Sequence, residues 1–156
     1  MKQIVAECKR YIAQNKQPVP QKTIKRLVFR KEISIPQVQQ YLAENMGASF
    51  NERLFVLIDK SGQKDSDVYK KALIDRRLFS KIRCDKRYVP SKKTVLALCI
   101  ALQLTEQDAN QLLGSAGYSL SRASEFDLAI AFCLNKQQYN FNDINEMLYQ
   151  LGLDVL

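Results

Sequence analysis

Apolar residues recur three and four positions apart along most of the chain, a spacing that predicts amphipathic helices. The clearest run lies between Leu54 and Leu113. The segment 22–33 is ambiguous, because its apolar residues suit either a helix or a short strand. We therefore expect an all-α protein with about seven helices and at most one short strand, within that segment.

Residues typical of helix ends divide the chain after residue 48 into successive short helices. Ser49 and Glu52 form a predicted capping box, and Gly62 ends the helix that the box begins. Two further helices are expected over about 65–72 and 76–83, the second with Phe79 and Ile82 on its buried face. The remaining predicted cap residues are Asp75, Ser91, Thr105 and Gly117. Five helices are therefore expected between residues 49 and 117.

The same pattern predicts the organisation of the chain. Residues 1–48 form a basic N-terminal extension, which includes an amphipathic helix over about 2–14. Residues 49–156 form a helical domain, with a core over 49–117. Two further helices are expected in the remainder, 118–156. The first covers about 122–136, and the second begins near Asn142 and carries Ile144, Met147, Leu148 and Leu151 on its apolar face.

Composition supports the helical prediction, and charge adds a functional one. Five glycines and four prolines in 156 residues are few helix breakers. The net charge is +8, made up of +6 in residues 1–49, +7 in residues 50–100 and −5 in residues 101–156. A basic front and an acidic rear suggest surfaces with different partners, although simple solubility would explain the same charges.

Catalysis has little support in the sequence. The chain has no histidine, no glycine-rich phosphate loop and no G-x-S-x-G motif, so we expect no catalytic residues and no cofactor. No close pair such as C-x-x-C occurs among its cysteines, Cys8, Cys84, Cys99 and Cys133, so we expect no metal site and reduced thiols. Cys84 lies among basic residues and is the one candidate nucleophile, but nothing in the sequence supplies a partner base.

The sequence also predicts the compartment of the protein. Its N-terminus lacks the unbroken apolar stretch of a signal peptide, and no apolar run approaches the length of a membrane span. We expect a cytoplasmic protein without a membrane partner.

The helices predicted over 65–72 and 76–83 have the spacing of a helix-turn-helix motif, whose second helix leaves one face free for the major groove of DNA. The expected nucleic-acid-binding residues are Arg76, Arg77, Ser80, Lys81, Arg83, Lys86 and Arg87. A secondary basic patch consists of Lys25, Arg26, Arg30 and Lys31. DNA is the expected partner. The acidic final third is the expected place either of self-association as a homodimer or of docking by a protein partner.

The stretches DVYKKALIDRRLFSKI and PSKKTVLALCIALQLT resemble the lambda-repressor/Cro-like, or XRE-type, helix-turn-helix family. More closely, these stretches together with NERLFVLIDKSG, LLGSAGYSLS and FDLAIAF resemble a C-terminal domain found in assorted bacterial proteins, some of them joined to macro domains. The resemblance covers about two-thirds of the chain. It implies an all-α five-helix core and an intracellular bacterial or phage setting, but it does not by itself imply that DNA is the ligand. Together with the basic second helix, it leads us to expect a DNA-binding transcription regulator.

Three residues depart from the family pattern. Tyr69 stands where the family usually has a small residue, and Leu73 stands where it usually has glycine in the turn. Because leucine is costly in a left-handed conformation, we expect a different turn and a different angle for the second helix. Leu78 stands where the family tends to be polar. An apolar residue there suits packing on residues 1–49 or a protein partner, so a protein-interaction module in a bacterial stress or defence system remains the alternative function.

Overall fold

A computed structural model describes residues 33–156 of the chain. Residues 33–46 belong to one compact unit and residues 47–156 to a second, and each is described by itself. Numbered in chain order from residue 33, the helices are α1 (Ile35–Asn45), α2 (Phe50–Ser61), α3 (Asp65–Lys71), α4 (Arg76–Cys84), α5 (Lys92–Ala101), α6 (Glu106–Ser115), α7 (Glu125–Asn135) and α8 (Phe141–Gln150).

The described residues are all-helical, as predicted. No strand occurs between residues 33 and 156. The helix expected over residues 2–14 lies outside the described part of the chain, as does the ambiguous segment apart from Ile33. The whole secondary basic patch, Lys25, Arg26, Arg30 and Lys31, also lies outside it.

Helix α1 is the one described helix of the first unit. Pro36 stands in its first turn, where its missing N–H is not needed. None of its side chains is buried, and Val38, Tyr41 and Leu42 remain exposed.

The predicted capping box begins α2. The Ser49 side chain accepts from the Glu52 backbone N–H at 3.2 Å, and the Glu52 carboxylate accepts from the Ser49 N–H at 3.0 Å. Gly62 ends the helix in a left-handed conformation with φ 66°. These two predictions of helix ends are confirmed.

The turn between α3 and α4 corrects an expectation. Leu73 adopts the left-handed conformation, with φ 54°, that we expected leucine to avoid. Its N–H donates to the Lys70 carbonyl at 3.1 Å, and the Ile74 N–H donates to the Tyr69 carbonyl at 2.9 Å. These bonds satisfy carbonyl groups at the end of α3, so the turn has the geometry that glycine would favour despite its leucine.

The core of the second unit is centred on α5. All seven residues from Val95 to Ala101 are buried, because the helix is covered on several sides. Helix α5 packs against α3 and α6, α6 also packs against α2 and α7, and α7 packs against α8. A single apolar cluster therefore extends from α2 to α8.

The last two helices are joined to the preceding five by specific polar contacts. The Tyr118 hydroxyl donates to the Pro90 carbonyl at 3.1 Å, and the Tyr139 hydroxyl donates to the Leu104 carbonyl at 3.0 Å. Ile144 and Leu148 are buried as the pattern of α8 predicted. Leu151, placed by sequence on the same apolar face, is exposed instead, because α8 ends at the preceding residue.

Candidate nucleic-acid interface

Helix α4 has one buried face and one basic face. Phe79 and Ile82 are buried, as the sequence predicted. The opposite face exposes four of the predicted site residues, Arg76, Arg77, Ser80 and Lys81. The helix contains nine residues, so its axis is about 13 Å long.

Aromatic packing on Phe79 orients α4. The Phe79 ring lies 6.1 Å from Phe55 of α2 in an edge-to-face arrangement and 5.6 Å from Tyr69 of α3. Tyr69 is half-buried in this cluster and packs against Phe79 of the neighbouring helix. Such aromatic pairs contribute beyond the area that they bury.

The C-terminal end of α4 is held by a residue that our sequence reasoning missed. Asn51 is only 6% exposed, and its side-chain amide donates to the Ile82 carbonyl. Asn51 stands three residues before Leu54 and seven before Ile58, which places it on the buried face of α2. That periodicity was the available signal, but it does not reveal which carbonyl the amide would meet.

The N-terminal end of α4 agrees only in part with the prediction. Asp75 occupies the N-cap position, but its side chain makes no capping hydrogen bond. Its carboxylate is exposed next to Arg76, so it adds a negative charge at the edge of the basic face.

The loop that follows α4 is an ordered turn. The Asp85 carboxylate accepts from the Arg87 backbone N–H at 2.9 Å, and the Asp85 carbonyl accepts from the Tyr88 N–H at 3.0 Å. This turn exposes Lys86 and Arg87 beyond the end of α4. The Lys81 ammonium lies 4.2 Å from the centre of the Tyr88 ring, a cation–π distance that connects the helix to the turn.

Arg83 differs from the other predicted site residues. Its guanidinium forms an ion pair with Asp65 of α3 and lies 4.3 Å from the centre of the Phe55 ring. By contrast, no carboxylate within residues 33–156 comes within 4.0 Å of the four cations Arg76, Arg77, Lys86 and Arg87. Six predicted residues are thus exposed on α4 and its following turn, while Arg83 contacts other helices.

Comparison of the chain with protein-family models, curated proteins and solved structures found no match. The resemblance to XRE-type helix-turn-helix proteins therefore stays a prediction. In the part of the chain that the structure describes, no helix has the length and apolar character needed to cross a bilayer.

The described cysteines, Cys84, Cys99 and Cys133, are free thiols in different environments. Burial raises the pKa of Cys99 to about 12 and also raises the pKa of Cys133, so both are poor nucleophiles. Cys84 is exposed on α4. No group of three or more potential metal ligands occurs among residues 33–156.

An apolar groove lies beside the start of α4, with a volume of about 200 Å³. It is lined by Leu73 and Leu78 on one side and by Phe141 and Leu156 on the other. Leu78, for which the sequence suggested packing on residues 1–49 or a protein partner, is half-buried against the core of the second unit. Leu73 is 73% exposed at the edge of the groove.

Proposed function

We propose that residues 49–117 form a divergent XRE-type helix-turn-helix core that binds duplex DNA through α4, as in a bacterial or phage transcription regulator. The observation that carries this proposal is the two-sided character of α4. Phe79 and Ile82 seat the helix in the core, while Arg76, Arg77 and Lys81 face outward without an ion partner among the described residues.

The dimensions and chemistry of this surface suit a major groove. A groove about 12 Å wide accepts one helix, and an arginine can donate two hydrogen bonds to a guanine edge. Lys86 and Arg87 on the following turn are placed to neutralise phosphates at the groove border, which contributes affinity without sequence preference. In this proposal the protein is cytoplasmic and acts by binding rather than by catalysis. The acidic final third, net −5 over residues 101–156, would be repelled by phosphate and is the proposed place of homodimer contact.

The proposal is tested by measuring affinity for a random 20-base-pair duplex between 50 and 200 mM salt. We expect Arg76→Ala, Arg77→Ala and Lys81→Ala each to weaken binding while leaving the fold intact, as checked by an unchanged circular dichroism spectrum. Replacing a residue that binds only phosphate should flatten the salt slope by about 0.9. Replacing a residue that binds a base edge should cost about 1–3 kcal/mol at a preferred site.

Arg122→Ala is the matched control, because it removes the same charge from an exposed position in the acidic third. It should leave the salt slope unchanged. Unchanged binding after all three α4 substitutions would contradict the proposal for this surface.

A protein-interaction module on the same fold is the second candidate, and the groove beside α4 favours it. Leu73, exposed at the groove edge, and Leu78 in its wall are unusual residues for a surface that only meets DNA. Absence of duplex binding at 50 mM salt would support this function and reject the first.

A further inference from the structure

Arg83 is a basic residue of α4 whose surroundings separate it from the other cations of the surface. We propose that Asp65 and Phe55 hold Arg83 as a positioning residue of the fold and withhold it from phosphate, so that the surface binds one phosphate fewer than its basic residues suggest. This inference rests on the proposed nucleic-acid function of α4.

Three helices meet at the Arg83 guanidinium. The side chain extends from the last turn of α4, forms an ion pair with Asp65 at the start of α3, and lies 4.3 Å from the centre of the Phe55 ring of α2. On the helical repeat, Arg83 follows Phe79 by four residues, so it emerges at the edge of the buried face. Arg77 and Lys81 emerge on the opposite side.

The cost of recruiting Arg83 to a phosphate is specific to this residue. Its side chain is 52% exposed, so solvent access alone does not prevent the contact. A phosphate that bound the guanidinium would break its ion pair with Asp65. The Asp65 carboxylate would then be unpaired and close to the negatively charged phosphate. Such like-charge contact opposes binding. The exposed cations Arg76 and Arg77 carry no such penalty.

Asp67 provides a matched comparison on the same helix. It is an exposed carboxylate two residues after Asp65, and no described lysine or arginine nitrogen lies within 4.0 Å of it. Asp65→Asn and Asp67→Asn therefore change the net charge of the protein equally. Only the first releases Arg83.

The test is the dependence of affinity on salt for a random 20-base-pair duplex, measured between 50 and 200 mM for four proteins. We expect Asp65→Asn to steepen the slope by about 0.9, because the released Arg83 neutralises one more phosphate. Over this fourfold change in salt, that slope corresponds to about a 3.5-fold greater loss of affinity. Asp67→Asn should keep the slope of the unchanged protein.

The double variant, Asp65→Asn with Arg83→Ala, decides whether Arg83 already contacts phosphate. It keeps the net charge of +8, and we expect it to keep the original slope. A slope flatter by about 0.9 would overturn the inference. Equal slopes for Asp65→Asn and Asp67→Asn, in variants with unchanged circular dichroism spectra, would also overturn it. Absence of binding by the unsubstituted protein would instead reject the proposed function, and this inference with it.

Discussion

At residue 73 a leucine occupies a backbone conformation that suits glycine. The left-handed conformation costs a residue with a Cβ about 1–2 kcal/mol. Gln103 and Gln137 have the same positive φ after α5 and α7, at 53° and 54°. At each site two backbone hydrogen bonds close the end of the helix, and they offset part of this cost. At these three residues the surrounding structure therefore imposes a positive φ that leucine and glutamine disfavour by themselves.

Leu73→Gly should stabilise the protein by up to about 1 kcal/mol, since relief of the left-handed cost exceeds the added flexibility of glycine in the unfolded chain. Leu73 is largely exposed, so the loss of its side chain costs little packing. Leu73→Ala is the control, because alanine keeps the Cβ and its conformational cost. Urea unfolding measures the difference, and equal midpoints for the two variants would contradict the strain at residue 73.

At the scale of a helix, the strength of the Ser49–Glu52 capping box depends on the charge of the Glu52 carboxylate. The backbone N–H of Ser49 has the largest effect in holding the pKa of Glu52 below 4.5, followed by the Ser49 side chain and, more weakly, the positive charge of Lys86. The ionised carboxylate is the better acceptor, so the box is strongest when Glu52 is charged.

The pKa of Glu52 makes the stability of α2 dependent on pH. Because its folded-state value is lowered, its contribution is fully present above the unfolded value near 4.5 and is lost as pH falls through the folded-state value. Glu52→Gln keeps an acceptor but has no charge to titrate. The difference in unfolding free energy between the two proteins should therefore shrink between pH 5 and pH 3. A difference in unfolding free energy that stays constant over this range would show that the charge of Glu52 does not contribute to stability.

At the scale of the whole second unit, one buried carboxylate joins distant segments. Asp127 of α7 is 2% exposed, accepts from the Ser121 N–H at 2.8 Å, and lies 2.6 Å from the Lys92 ammonium at the start of α5. It therefore connects the last two helices to the α5 core. A buried acceptor with two donors is costly to remove, because both donors lose their partner.

Asp127→Ala should lower the free energy of unfolding by about 2–3 kcal/mol. This is less than the ~3–5 kcal/mol of a fully buried pair, because the Lys92 side chain is 31% exposed and can reach water. Asp154→Ala, which removes the exposed partner of Lys93, should cost less than about 1 kcal/mol. Thermal unfolding monitored by circular dichroism compares the two, and similar melting temperatures would refute the structural role of Asp127.

Much of the helical architecture follows from the sequence because it depends on neighbours within one or two turns. Ser49 and Glu52 mark the start of α2, and Thr105 accepts from the Asp108 N–H at the start of α6, as their spacing predicted. Phe79, Ile82 and Leu112 are buried because three- and four-residue spacing places them on one face of a helix. The exposure of Arg77 follows from the same periodicity, because Arg77 leaves the helix opposite Phe79 and Ile82.

Contacts between residues that are far apart in the chain were decided only by the tertiary structure. The sequence placed both Arg77 and Arg83 in the nucleic-acid site, yet Arg83 meets Asp65 and Phe55 whereas Arg77 meets solvent. Asn51 finds the Ile82 carbonyl thirty-one residues away. Helical periodicity predicts which way a side chain leaves its own helix, whereas its partner depends on how the helices pack. The fold class could therefore be predicted from the sequence, but the set of cations available to a ligand could not.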